Sequence, residues 1–438
     1  MPYTHSVTLN KSRCMGCTNC IKRCPTEAIR VRDGKAFILQ EKCIDCGECI
    51  RVCPYHAKEA VTDTMDVING YRYKIALPAP TFYSQYKNYS VDRILGALIA
   101  IGFDEVFEVA AAAEIVSFYT ARILKSEKVK KPVISSACPV VVRLIQIRFP
   151  SLIDNILKLE SPMEVAAKVA KKLATKKTGL KEEDIGVFFI SPCAAKVTSV
   201  KNPLGISKSY VNGVLSMQDV YSHTLDVIDR VEDGRQRFSG DVGVGWAVSG
   251  GEAYGTGTEN CISVDGVQNC IKALEEIEMG KMNDIDFFEG LACTGGCVGG
   301  PLTVENCFIA KNRIKRLSGS KRGSPFLKDL LGYIDQEEIK LDKKIEKKDV
   351  MKLDSDLFEA LRKMEEIDRI YKELPGLDCG SCGAPNCRAL AEDIVMGHAS
   401  EVDCIFKLRE RVSELAKEVL DLSVKLPPVI KRGDEEDK

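Results

Sequence analysis

CMGCTNCIKRCP (14–25) and CIDCGECIRVCP (43–54) each read C-x2-C-x2-C-x3-C-P. SSACP (135–139), SPCAAK (191–196) and EGLACTGGCVGGP (289–301) set four more cysteines in loops marked by glycine or proline. A last group, C-x2-C-x4-C-x16-C, spans 379–404. Sixteen of the nineteen cysteines thus fall into four sets of four, each spaced to cover the corners of a 4Fe-4S cubane. In the doubled N-terminal run the fourth cysteine of each copy ligates the other cluster. One cluster is therefore assigned to Cys14, Cys17, Cys20 and Cys53, the other to Cys43, Cys46, Cys49 and Cys24. Zinc knuckles are the alternative, opposed by the third cysteine and trailing proline of both copies. Cys138, Cys193, Cys293 and Cys297 complete one further cubane, although each alone also reads as a small buried residue. The two glycines inside the last C-x3-C pair permit close backbone approach to something bulky. Cys379, Cys382, Cys387 and Cys404 suit a cubane or a zinc ion. The chemistry is that of single electrons.

The elements that must position these groups follow from texture. Residues 1 to about 60 are short and turn-rich. From about 72 to 320, strand signals (74–80, 104–110, 131–138, 184–193) alternate with helical patterns such as VDRILGALIAIG, AAEIVSFYTARIL and MEVAAKVAKKLATKK. The last of these opens on Ser161, Pro162 and Glu164, the signature of a capping box. Alternation of this kind implies βαβ units and parallel sheets, with Cys138 and Cys193 at the C-terminal strand ends where open α/β sheets hold ligands. The lysine-rich stretch 341–354 reads as a linker or a solvated helix, and RGDEEDK as a disordered tail. A net charge of −1 recruits neither nucleic acid nor an anionic membrane. The N-terminus lacks a signal-peptide core, and no apolar run spans a bilayer. A cytoplasmic setting follows, where clustered thiols act as metal ligands rather than disulfides.

The N-terminal run resembles a two-cluster ferredoxin. The three central loops resemble, in the same order, the signature loops of the iron-iron hydrogenase catalytic domain, a likeness covering about residues 1–320. The resemblance implies an H-cluster: a 4Fe-4S cubane joined through one cysteine to a di-iron unit carrying carbon monoxide, cyanide and an azadithiolate bridge. Cys297 takes the bridging position, with Cys138, Cys193 and Cys293 as plain cubane ligands. Lys196 matches the lysine that binds a cyanide, a compact cation against an anion. Pro78 and Ala79 match the apolar loop over the di-iron unit.

Departures from that pattern lie on the proton path. Ala137 stands where a cysteine hands protons to the bridgehead amine. Ser191 and Leu291 replace two methionines of the pocket, and Ser199 replaces a glutamate. Proton transfer needs groups in hydrogen-bond reach with suitable pKa values, so turnover should be slow unless a substitute route exists. Candidate substitutes are Glu252, Glu289, Ser191 or ordered water. Cys261, Cys270 and Cys307 fit no ligand spacing and read as buried small residues.

The resulting fold is an α/β catalytic domain with parallel sheets (70–335). A small α+β ferredoxin domain (1–65) precedes it. A charged linker or helix (336–370), a helical single-cluster domain (371–405) and an amphipathic helix with acidic tail (406–438) follow. The 379–404 group resembles the single-cluster 4Fe-4S domain of several redox and regulatory proteins, an appendage typical of sensor-type hydrogenases, and is expected to add an electron port distinct from the ferredoxin end. Leu408, Val412, Leu415, Val419, Leu422 and Leu426 recur in steps of four and three. They serve either packing on their own domain or docking, including homodimerisation. The reading that follows is a slow hydrogenase exchanging H2 for protons and electrons, sensing H2 or regulating redox state through a protein partner. Alternatives are an ordinary ferredoxin-linked hydrogenase with a replacement proton route, and a hydrogenase-like scaffold without di-iron.

Overall fold

The computed structural model describes residues 5–126, 129–233, 237–350 and 353–425. Two compact units emerge, one of residues 1–13 and 40–350, the other of 14–39 and 351–438. This division differs from the sequence boundaries. It cuts the ferredoxin-like run in two and groups 14–39 with the C-terminal segment.

Two parallel sheets build the first unit. In one, Glu105–Val106, Tyr73–Pro78, Ile185–Ser191 and Gly213–Ser216 lie side by side in that order. In the other, Cys261–Asp265, Phe287–Leu291 and Val133–Ile134 do so. Every residue of Ile185–Ser191 is buried, as is every residue of Phe287–Leu291. Continuous apolar runs are what strands covered on both faces require. Helices Val91–Ala100, Val109–Leu124 and Pro162–Thr178 supply part of that cover. A short antiparallel pair, Val7–Leu9 with Lys58–Ala60, joins the N-terminal segment to the same unit.

Two expectations change here. Ser161 does cap Pro162–Thr178, but its side chain makes no cap bond. Glu164 turns away to accept from Ser209 Oγ (2.6 Å) and the Tyr210 amide (2.9 Å), so no capping box forms. The stretch from 341 is a strap rather than a free linker or helix. Leu341 N donates to Lys158 O, Lys343 N to Gly205 O and Lys348 N to Gln146 O. Ile345 is buried while its lysine neighbours face solvent.

The second unit pairs Ile29–Arg32 with Lys35–Ile38. Helix Leu357–Glu373 buries Ile367 and Ile370 against Cys387–Val395, so most of the expected linker helix belongs to a core. Helix Ile405–Ser423 buries no residue. Packing on its own domain is therefore not the role of its apolar stripe. Leu426 and the acidic tail lie outside the described residues.

Candidate active site

Each central cysteine sits where a strand hands over to a turn or helix. Cys138 follows Val133–Ile134 and caps Pro139–Arg148. Cys193 follows Ile185–Ser191 and caps Ala194–Lys201. Cys293 and Cys297 follow Phe287–Leu291, and Cys297 opens a short 3-10 turn. All four line one mostly apolar chamber of about 100 Å³, together with Ala79, Ala137, Lys196, Glu252, Glu289 and Leu291. Pro78 is buried in its strand and does not reach the wall, which Ala79, Pro80 and Thr81 supply instead.

The glycines of the Cys297 loop serve the fold more than an approach to a bulky group. A Cβ on Gly296 would meet Ala247 O at 2.8 Å, on Gly299 Thr294 O at 2.2 Å, and on Gly300 Pro192 O at 2.1 Å. Gly296 abuts the 247–249 backbone and Gly299 its own turn, while Gly300 lets the turn press against the loop of Cys193.

Burial pushes the Cys193 thiol up to about 12, with Cys293 and Cys138 adding to the rise. Burial likewise raises Cys297 well above the ordinary thiol range. Cys293 is raised by burial too, while the Arg51 guanidinium beside it pulls the other way. Buried thiols of this kind would hold a cationic iron core as thiolates, the cation offsetting the cost of burying their charge. Lys196 Nζ lies at the rim and donates to Ala137 O at 3.0 Å.

Two carboxyl groups close the other side. Glu289 accepts from Gly250 N (3.0 Å), Ala253 N (2.9 Å) and Ser263 Oγ (3.1 Å). Glu252 has only Ser135 Oγ (2.6 Å), and its other oxygen is buried without a partner. Burial, then the charge of Glu289, pushes Glu252 up to about 8. Burial raises Glu289 as well, against its several donors. The donors around Glu289 favour its charged form, and the burial of Glu252 with one donor favours its protonated form. Ser135 Oγ also accepts from Ala137 N (3.2 Å), and Ser263 is exposed. Hydroxyl groups thus flank both carboxyls, Ser135 at Glu252 and Ser263 at Glu289. Ser135 and Ser263 were missed in the sequence; Ser135 sat inside the quoted SSACP motif, whereas Ser263 had no signal beyond strand alternation.

Ser191 is placed elsewhere. Its hydroxyl accepts from Cys193 N (3.0 Å) and donates to Cys193 O (2.9 Å), shaping the ligand turn rather than lining the chamber. Ser199 donates to Ala195 O within its helix and borders a smaller cavity with Glu160, Glu164 and Lys196. Cys270 is fully buried, whereas Cys261 and Cys307 are half-buried.

The other cysteine sets lie in the two units. Cys43, Cys46 and Cys49 are buried in the first, where Cys53 Sγ accepts from Ala57 N at 3.2 Å. In the second, Cys24 Sγ accepts from Ala28 N at 3.2 Å and Cys14 Sγ from Ala36 N at 3.4 Å. Such N–H···S bonds are a means of tuning cluster potential. Among the described residues, only His5, Cys43 and Asp45 form a set of three or more ligand atoms mutually within 4.8 Å. A zinc ion about 2.3 Å from each sulfur needs thiolates drawn closer than that. Among the described residues no set of cysteines is that compact. Within the compact set, Asp45 also accepts from Val7 N and Thr198 Oγ1.

The comparisons with known proteins agree with this geometry. A family model described as the iron only hydrogenase large subunit, C-terminal domain, matches residues 72–225 and 247–301. A 4Fe-4S dicluster model matches 6–54, and an Fe-S cluster model matches 374–406. The periplasmic [Fe] hydrogenase large subunit of Nitratidesulfovibrio vulgaris is 27% identical over 212 residues, 44% of this chain and 50% of that protein. A subunit of the NADP-reducing hydrogenase of Solidesulfovibrio fructosivorans is 28% identical over 120 residues, 25% of this chain and 20% of that protein. The chain therefore spans half or less of the length of these curated relatives. A variant of the [FeFe]-hydrogenase of Chlamydomonas reinhardtii superposes with a TM-score of 0.50 at 14% identity, covering 64% of this chain and 95% of that one, a likeness of fold. No described helix is long and apolar enough to cross a membrane. A match to the iron-only hydrogenase catalytic domain, flanked by two iron–sulfur matches, thus makes this chain similar to the iron-iron hydrogenases over residues 72–301.

Proposed function

We propose that this protein exchanges H2 for protons and electrons at the chamber of Cys138, Cys193, Cys293 and Cys297, slowly enough to serve H2 sensing or redox regulation. The observation that carries the reading is the convergence of four cysteines from three strand ends on one apolar chamber with a lysine at its rim. Cys138, Cys193 and Cys293 would hold the cubane and Cys297 would join it to the di-iron unit. When bound, that H-cluster supplies the site at which dihydrogen is polarised and split. The chain's own part is to exclude water, to present the Lys196 ammonium to an anionic ligand, and to move protons. Ala137 has no proton to give. Ser135 and Glu252 therefore take the proton at the chamber, and Glu289 and Ser263 pass it to solvent. Electrons leave through the remaining cysteine sites to a protein partner, in a cytoplasm that keeps thiols reduced.

Slow turnover rests on the altered path beside a full set of ligands. An infrared spectrum of the matured full chain tests the core of the reading: bands of bound carbon monoxide and cyanide are expected. A properly matured sample without them would leave a hydrogenase-like scaffold. H2 turnover matching fast hydrogenases would overturn the sensory role.

A further inference from the structure

The C-terminal cysteine segment is built onto the 14–39 segment within the second unit. Val31 N donates to Gly383 O at 2.8 Å, carrying the edge of Ile29–Arg32 into the cysteine loop. Gly383 has φ +81°, and a Cβ there would sit 1.9 Å from Val31 O, so only glycine admits the contact. Arg32 Nη1 donates to the carbonyl of Cys382 at 2.7 Å. Arg30 and Arg32 both grip Asp393, at 2.6 and 2.9 Å, and the Arg30 side chain is only 2% exposed. Asn386 Nδ2 donates to Glu27 Oε1 at 2.7 Å. A buried, charge-assisted seam of this kind fixes two segments in one arrangement.

Across that seam the two cysteine loops face each other. Lys22 lies between Cys20 and Cys24, and its Cε is 3.3 Å from where a Cβ on Gly380 would stand, next to Cys379.

We propose that the Cys14–Cys20 loop and the Cys379, Cys382, Cys387 and Cys404 set form one electron-transfer module, with Lys22 as the positioning charge between them. The C-terminal site then exchanges electrons with the ferredoxin-like site and is not a port separate from it. Each exchange moves one electron and no proton, one cluster being oxidised by one unit as the other is reduced by one. The proposal rests on these cysteines being cluster ligands, as in the reading above. It is independent of the di-iron unit.

The test uses the full chain reconstituted with iron and sulfide, without di-iron. In Cys379→Ser/Cys404→Ser, iron analysis should show the loss of one cluster. The electron paramagnetic resonance signal of the reduced ferredoxin-like clusters should then narrow and relax more slowly. Lys22→Glu should lower the midpoint of the C-terminal cluster by up to a tenfold change in the one-electron equilibrium, about 59 mV. Lys22→Arg should leave it in place. Unchanged line shape and relaxation in the double variant, or an unmoved midpoint in Lys22→Glu, would overturn the module. An iron count showing no cluster at the C-terminal site would do so too, while leaving the infrared result standing.

Discussion

At the level of single residues, the neutral carboxyl of Glu252 is the feature with the most to say about protons. Its one hydrogen bond, to Ser135, and its unpartnered second oxygen make it a donor held ready rather than a fixed charge. Glu252→Gln keeps the shape but cannot release a proton to Glu289. H2 turnover should fall on the order of 10²-fold, with the infrared bands retained. Stability carries a second signature. The folded pKa is raised from 4.5 to about 8, so the group's contribution is fully present below pH 4.5 and is lost as pH rises through about 8. Melting temperatures measured across that window should decline in the native protein and decline less in Glu252→Gln. Ala137→Cys asks the complementary question. If the missing donor limits the rate, turnover should climb, because the new thiol lies on the wall that Ala137 now forms.

Elements explain both what the sequence revealed and what it hid. The strand ends bearing Cys138 and Cys193 were legible because fully buried parallel strands are written as unbroken apolar runs. Cys293 and Cys297 were legible only as a motif, since their strand, FFEGL, holds a glutamate whose charge is met by distant amides. Glu164 misled for a related reason: its partners, Ser209 and Tyr210, are far away in sequence, and they outcompete the local cap. The 341–350 strap was hidden because two apolar residues among many lysines give a thin pattern, although those two suffice to anchor it. Ser191 was drawn toward proton chemistry by its place in the motif, whereas its bonds are local. The close turn at Gly300 gives a direct check. A Cβ there meets the Pro192 carbonyl, and forced overpacking of this sort costs about 1–3 kcal/mol. Gly300→Ala should lower the melting temperature and the iron retained at the central cubane, because it pushes the Cys193 and Cys297 loops apart.

For the molecule as a whole, the question is what the uncovered surfaces are for. Leu408, Val412, Leu415, Val419 and Leu422 are 44–64% exposed along a helix that buries nothing of its own. Their steps of four and three match a seam between paired helices. Light scattering should therefore find a dimer whose mass falls to that of one chain in Leu415→Glu/Val419→Glu. A native monomer would assign the stripe to a different protein.

Asp45 carries a consequence for how the chamber is held. Its fully buried side chain sits between Cys43 and Cys46, and it takes bonds from His5 Nδ1, Val7 N and Thr198 Oγ1. Thr198 belongs to the same short helix as Lys196. That bond ties the Cys43–Cys46 loop to the helix that furnishes the chamber with its ammonium. The consequence is mechanical: a disturbance at the outlying loop reaches the stretch that carries Lys196 through a single buried carboxylate.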